Sequence, residues 1–174
     1  MLPSVSTLNN NILALQPVGV EVTGITNLVN VIAAFLNQMQ AGPTGAPGIF
    51  TYNNASAIAA LESLPNVGDN SWVVPFANGI HAGSTAAILV PGTVTDPVWT
   101  ASVVDTLPPV NTGLAAALPV LISGLNNCSY SNNPAMPMAQ AISDYAKAFT
   151  FLCTGLVLAP PGPPIPLPLT FTAQ

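Results

Sequence analysis

One cationic side chain in 174 residues, Lys147, leaves few ways to build a surface. The acids are Glu21, Glu62, Asp69, Asp96, Asp105 and Asp144, and the formal net charge is −5. Charged residues make up 4% of the chain, against about 25% in an ordinary soluble domain. Charge is the usual means of keeping a free domain in solution. Here Asn, Gln, Ser, Thr and Gly must cover the outside. A neutral surface is cheaper to strip of water when another protein covers it, and the centres of protein interfaces are depleted of charge for that reason. The composition therefore suits a chain with protein neighbours on several sides.

The same feature removes whole function classes. Binding to a phosphate backbone needs Lys and Arg to displace counterions, so nucleic acid is not an expected partner. Anionic membrane surfaces are disfavoured as well. Mean hydropathy is +0.57, yet no window reaches the roughly 18 continuous apolar residues of a spanning helix. The most apolar candidate, 139–158, carries Asp144, Lys147 and several hydroxyls and reads as an amphipathic helix. No membrane span is expected. Met1-Leu2-Pro3-Ser4 has neither a basic nor an apolar leader region, which predicts assembly inside a cell rather than secretion.

Half of the residues are apolar, enough for one domain with a substantial core. The expected fold is mainly α with a few short β-strands: an extended N-terminal arm over 1–17, a single mainly helical domain over 18–158, and a Pro-rich extended tail over 159–174. Val18 to Val22 alternate as a short strand would. A helix from about Asn27 to Gln40 carries Ile25, Leu28, Val29, Ile32, Leu36 and Met39 on one stripe, with Thr26 as N-cap and Gly42-Pro43 as stop. Its polar face holds uncharged amides, ready for contact. A short helix over 55–64 follows Asn53-Asn54. Ser71 to Phe76 reads as a strand and Asn78-Gly79 as a turn, while 83–104 is open between helix and strand. A third helix is expected from a cap at Asn111 through Leu125, on the stripe Leu114, Leu118, Leu121, Ile122, Leu125, with Pro119 inside it. The longest is expected from Met136 to Thr154. Its apolar stripe is Met138, Ile142, Tyr145, Phe149, Leu152 and Leu156, with Ser143, Lys147, Thr150 and Thr154 opposite, and Asp144 and Lys147 close enough to pair.

The tail has its own pattern. Six prolines fall in 159–174, and Ile165, Leu167, Leu169 and Phe171 alternate with Pro166, Pro168, Thr170 and Thr172. Alternation puts the four large apolar residues on one side of an extended strip. Prolines bar a central strand but allow an edge or a groove. These four residues are the expected contact to a neighbouring subunit; the competing reading folds the tail back on its own domain.

Catalytic chemistry has little to work with. His81 is the sole histidine, and pairing it with Ser84 and an Asp lacks any nucleophile-elbow context. One His and two distant cysteines, Cys128 and Cys153, give no zinc spacing, and whether the two pair stays open. Singly scattered acids support neither paired-carboxylate catalysis nor a calcium loop. Gly42–Gly48 lacks the Lys of a phosphate loop, and without Arg a phosphoryl-transfer site has no obvious charge stabiliser. No cofactor and no metal is expected. Asn54-Ala55-Ser56 and Asn127-Cys128-Ser129 match the glycosylation pattern, as chance allows in an Asn-rich chain. Trp72 and Trp99 read as core or interface anchors.

The expectation is a non-enzymatic structural subunit of a large homo- or hetero-oligomeric assembly. The leading form is a small virion component (minor capsid, cement or tail-associated protein) assembled in a host cytoplasm. A subunit of an extracellular filament or surface layer is the alternative. A secreted carbohydrate- or protein-binding module using Trp72 and Trp99 is the third.

Overall fold

The computed structural model describes residues 4–15, 21–41, 45–46, 48–63, 72–90, 93–95, 102–105, 110–130, 134–157 and 165–172. These form mainly helix with short strands; within the stretch left open between helix and strand, 83–104, residues 91–92 and 96–101, with Trp99, lie outside the described residues.

Helix α1 spans Val5–Leu13. The expected arm is therefore helical over these residues rather than extended, while 1–3 and 16–17 lie outside the described residues. Ser4 explains the start, since its Oγ accepts from the Thr7 amide at 3.2 Å, satisfying a donor the helix itself leaves orphaned. Val5, Leu8 and Ile12 fall on one face, and Leu8 and Ile12 are buried.

Helix α2 spans Glu21–Leu36. It begins earlier than the stripe implied: Glu21 and Val22 are helical, not strand, and Thr26 lies inside the helix rather than at its cap. The stripe itself is where the periodicity put it, with Val29, Ile32, Leu36 and Met39 buried and Ile25 and Leu28 packed partly buried against the core. Two amides of the polar face serve the chain itself. Asn30 Oδ1 accepts from Asn54 Nδ2 at 2.8 Å, and Asn37 Oδ1 accepts from the Tyr52 amide at 2.7 Å. That accounts for part of the uncharged face without any neighbour.

Helix α3 spans Asn54–Glu62, capped by Asn53, whose side chain accepts from the Ser56 amide at 3.0 Å. Helix α4 spans Val73–Thr85, so the strand expected over 71–76 and the turn at Asn78-Gly79 are both corrected. The misleading residues were Pro75 and Gly79. Pro75 sits in the first turn, where its missing N–H would have had no helical partner. Val73, Ala77, Ile80 and Ser84 then recur at helical steps and are buried. Gly83 is needed for a close approach: a Cβ there would collide with the Tyr52 ring.

Helix α5 spans Leu114–Asn126 and is followed by a 3-10 turn, Asn127–Tyr130. Gly113, not Asn111, stands at its N-cap, and Pro119 lies inside it on the exposed side. Leu121 and Leu125 are buried, while Leu114, Leu118 and Ile122 pack partly buried. Helix α6 spans Ala135–Lys147. The helix expected to Thr154 stops at Lys147, because the chain turns at Ala148 and enters a strand at Thr150. Ser143, expected on the outer stripe, is 2% exposed. The buried arc of α6 is wider than its apolar stripe and takes in Ala135, Ala139, Ala141 and Ala146 as well; on the α5 side the helices approach so closely that a Cβ on Gly124 would come 2.6 Å from the Ala141 Cβ. Asp144 and Lys147 do meet, at 3.7 Å on the surface.

The strands fall in two sheets. Strands β1 (Gln40–Ala41), β3 (Gly48–Thr51) and β4 (Ile88–Val90) are antiparallel in the order β1-β3-β4. The second sheet runs β2 (Gly45–Ala46), β5 (Thr93–Thr95), β6 (Ser102–Asp105), β8 (Thr150–Val157), β7 (Val110–Asn111), and β9 (Ile165–Thr172) pairs with β8. The core joins these layers through four rings. Phe149 lies 4.8 Å from Tyr145, 5.8 Å from Phe50 and 6.2 Å from Phe151 between ring centroids, and all four residues are buried.

Candidate functional site

The residues expected to carry a partner contact form alternate positions of β9. Register sets Ile165 opposite Val157, Leu167 opposite Gly155, Leu169 opposite Cys153 and Phe171 opposite Phe151, all within one chain. The side chains of 165–172 lie outside the described residues, so their contacts are not part of the description. The backbone is informative. Thr150 presents its carbonyl oxygen to the β7 side, accepting from the Thr112 amide at 2.8 Å and the Gly113 amide at 3.2 Å. Backbone groups alternate in direction along a strand. Residues 152, 154 and 156 therefore also face that side, and 151, 153, 155 and 157 direct their N–H and C=O groups toward β9. Through the register, the N–H groups of Ile165, Leu167, Leu169 and Phe171 face β8. Pro166 and Pro168 take the outward positions, where the absence of an N–H costs the ladder nothing. The two prolines that look hostile to a strand occupy the only parity an edge strand permits.

An exposed apolar patch lies in the first sheet. Ile49, Ile88 and Val90 are 58%, 61% and 42% exposed, Ile49 stands opposite Val90 and Thr51 opposite Ile88, and Phe50 between them is buried. Three apolar side chains and a threonine thus share the outer face, with no charge among them.

Among the described residues, a polar cluster with chemical potential joins α4 to α6. His81 Nδ1 and Tyr145 Oη share a hydrogen bond of 3.0 Å, and Tyr52 Oη donates to the Ile80 carbonyl at 2.7 Å. His81 is thus on a helix, half-buried and hydrogen-bonded. Burial pushes both tyrosine hydroxyls far above their ordinary range. For Tyr145 the neighbouring Ser84 hydroxyl opposes the shift in part, although Ser84 Oγ makes no well-formed hydrogen bond. Burial also lowers the His81 pKa, favouring the neutral ring. A Ser–His pair would need Ser84 Oγ bonded to the imidazole and open to substrate. Ser84 is 4% exposed and its Oγ has no hydrogen-bond partner, so the arrangement is a packed joint between helices. Sequence reasoning missed this joint because its partners, residues 52, 81 and 145, are far apart in the chain.

The joint has a pH signature. His81 gains less from protonation in the fold than in the open chain, so the unfolded state binds more protons below the ordinary histidine pKa of about 6.5. Stability from this group is present above that pH and is lost as pH falls through the lower folded value. The urea midpoint of the wild type is expected to fall between pH 7 and 5 more steeply than that of His81→Gln. Parallel slopes would show that the ring is solvated in the fold.

A cleft of about 250 Å³ opens between α1, α2 and the start of α6, lined by Ile12, Leu15, Gly24, Asn27, Leu28, Pro134, Ala135 and Met138. None of these described lining residues is titratable. Cys128 is buried and free, and burial raises its thiol pKa. Among the described residues, no three His, Cys, Asp or Glu side chains come together as metal donors, and no helix is long and apolar enough to cross a membrane. Trp72 packs edge-on against Phe76 with centroids 5.7 Å apart. No family model matches the chain, and no curated protein or solved structure is detectably similar to it.

Proposed function

We propose that the chain is a non-enzymatic structural subunit of a large protein assembly, in its leading form a small virion component such as a minor capsid, cement or tail-associated protein. The observation that carries this reading is the uncharged, apolar outer face of the β3–β4 pair, in which Ile49 and Ile88 are more than half exposed. Large apolar side chains gathered on a sheet face mark contact surfaces. The whole chain has one cation to keep such a face in solution. The partners are neighbouring protein subunits, and nucleic acid is not among them, for want of cations. An extracellular filament or surface-layer subunit would use the same face.

Light scattering at neutral pH is expected to show oligomers of the purified chain, since little charge repulsion opposes association. A monodisperse monomer at high concentration and low salt would remove the reading. Co-purification with virus particles, rather than with the cell envelope, separates the viral form from the filament form.

A further inference from the structure

The position of β9 suggests how copies connect. We propose that two copies of this chain join by exchanging β9, so that residues 165–172 of one copy lie beside β8 of the other in the register found within a single chain. The proposal rests on the assembly reading above and names the contact that serves it.

The occupant is set by the ladder itself. β8 presents four inward-facing backbone positions, 151, 153, 155 and 157, and the chain's own terminal strand matches them over eight paired residues without a bulge. A second copy carries the same strand, so its fit is already established. β9 pairs with β8 alone among the described strands, so withdrawing it disrupts no other ladder. Proline placement makes the seating one-sided. Ile165, Leu167, Leu169 and Phe171 supply donors to β8, while Pro166 and Pro168 leave the outer edge without donors over its first half. A strand so built can dock on β8 and cannot be extended there by another, which makes the contact self-limiting.

The connection between the strands favours exchange. Val157 and Ile165 are register partners and, as a hydrogen-bonded antiparallel pair, lie about 5.5 Å apart. The seven residues between them, Leu158-Ala159-Pro160-Pro161-Gly162-Pro163-Pro164, include four prolines. In the polyproline form that such a sequence favours, at about 3.1 Å per residue, they would hold the two ends on the order of 25 Å apart. Pairing within one chain has the advantage of a tethered strand, equivalent to millimolar concentration for a flexible linker. The proline linker works against that advantage, because a sequence that favours extension resists bringing its ends together. Between chains no such demand exists. Short, stiff hinges beside a terminal element are the setting in which strand exchange arises.

The test uses the full chain with Cys128→Ala and Cys153→Ala. Leu152 and Thr170 are opposite one another in a non-hydrogen-bonded pair, whose Cα separation of about 4.5 Å lies within disulfide reach. One preparation carries Leu152→Cys, a second carries Thr170→Cys, and the two are unfolded, mixed, refolded and oxidised. A covalent dimer joining the two variants is the expected result, and the double variant, locked within one chain by oxidation before assembly, is expected to stay monomeric. An oligomer that forms equally well from the locked double variant overturns the exchange and leaves the assembly reading standing. A wild type that stays monomeric at every concentration overturns both. A second variant needs no new cysteine: replacing 160–164 with Gly-Ser-Gly-Ser-Gly relaxes closure and is expected to raise the dimer dissociation constant at least tenfold. An unchanged or lower constant overturns the exchange.

Discussion

Phe149→Ala is expected to destabilise the protein by about 3–5 kcal/mol, the usual range for removing a buried ring. Phe149 is 0% exposed and holds the elements together rather than decorating one of them. It follows the end of α6, its amide donates to the Ala146 carbonyl at 3.1 Å, and its ring touches Tyr145 from α6, Phe50 from β3 and Phe151 from β8. Truncation therefore opens a cavity bordered by three rings on two sheets and a helix. The tilted and edge-on ring geometries add about 0.5–1.5 kcal/mol per pair beyond area burial. Tyr145 is fixed by its bond to His81 and Phe50 by the β3–β4 ladder, so neither can readily move to fill the gap. Phe149→Leu keeps most of the volume and is expected to cost clearly less. Denaturant unfolding of the two variants beside the wild type measures both values. A loss below about 1 kcal/mol for the alanine variant, ordinary for surface positions, would mean that the ring cluster is not the core.

Phe149 also shows how far the sequence was legible. Its burial could be read from spacing alone, because Tyr145, Phe149, Leu152 and Leu156 recur at steps of four and three. The element could not. Phe149 and Phe151 also alternate as strand residues do, and a run that fits both periods is decided by what lies beside it. Here β6, β7 and β9 offer ladder partners to β8 from both sides, and the backbone groups of 150–157 take them. The same competition hid α4. Pro75, Asn78 and Gly79 are turn formers locally, but the burial of Val73, Ala77 and Ile80 together requires a helix. Conversely α2 and α3 were legible because an unbroken stripe and a capping Asn53 agree with the packing. The helix over 5–13 is hard to see in the sequence because three consecutive asparagines, Asn9 to Asn11, mask a stripe of only three apolar residues. Of the candidate site, the apolar alternation in 165–171 was legible; its pairing partner was not, since the first residues of β8 also fit the helical period that runs on from α6.

Removal of 165–174 is expected to abolish ordered assembly, and an added peptide of sequence 165–172 is expected to bind the shortened chain. Among the described strands β9 pairs with β8 alone, so its removal breaks one ladder and leaves the contacts among the described core residues, Leu8 to Phe151, in place. What is lost is an edge. Without β9, the backbone groups of Phe151, Cys153, Gly155 and Val157 face outward unpaired, and an open edge invites irregular pairing between chains. The peptide should restore the cover through four inward amides, those of 165, 167, 169 and 171. Each ladder hydrogen bond contributes about 0.5–1.5 kcal/mol net. N-methylation at Leu167 removes one donor and places a methyl group against β8, so binding should fall at least tenfold. N-methylation at Thr170 modifies an outward amide and should leave binding nearly unchanged, just as Pro166 and Pro168 do on the same side. Calorimetric titration of the two peptides against the shortened chain reads the difference directly. Equal affinities, or tighter binding of the Leu167-methylated peptide, would reverse the parity deduced from the Thr150 carbonyl, and with it the account of why this strand can contain two prolines.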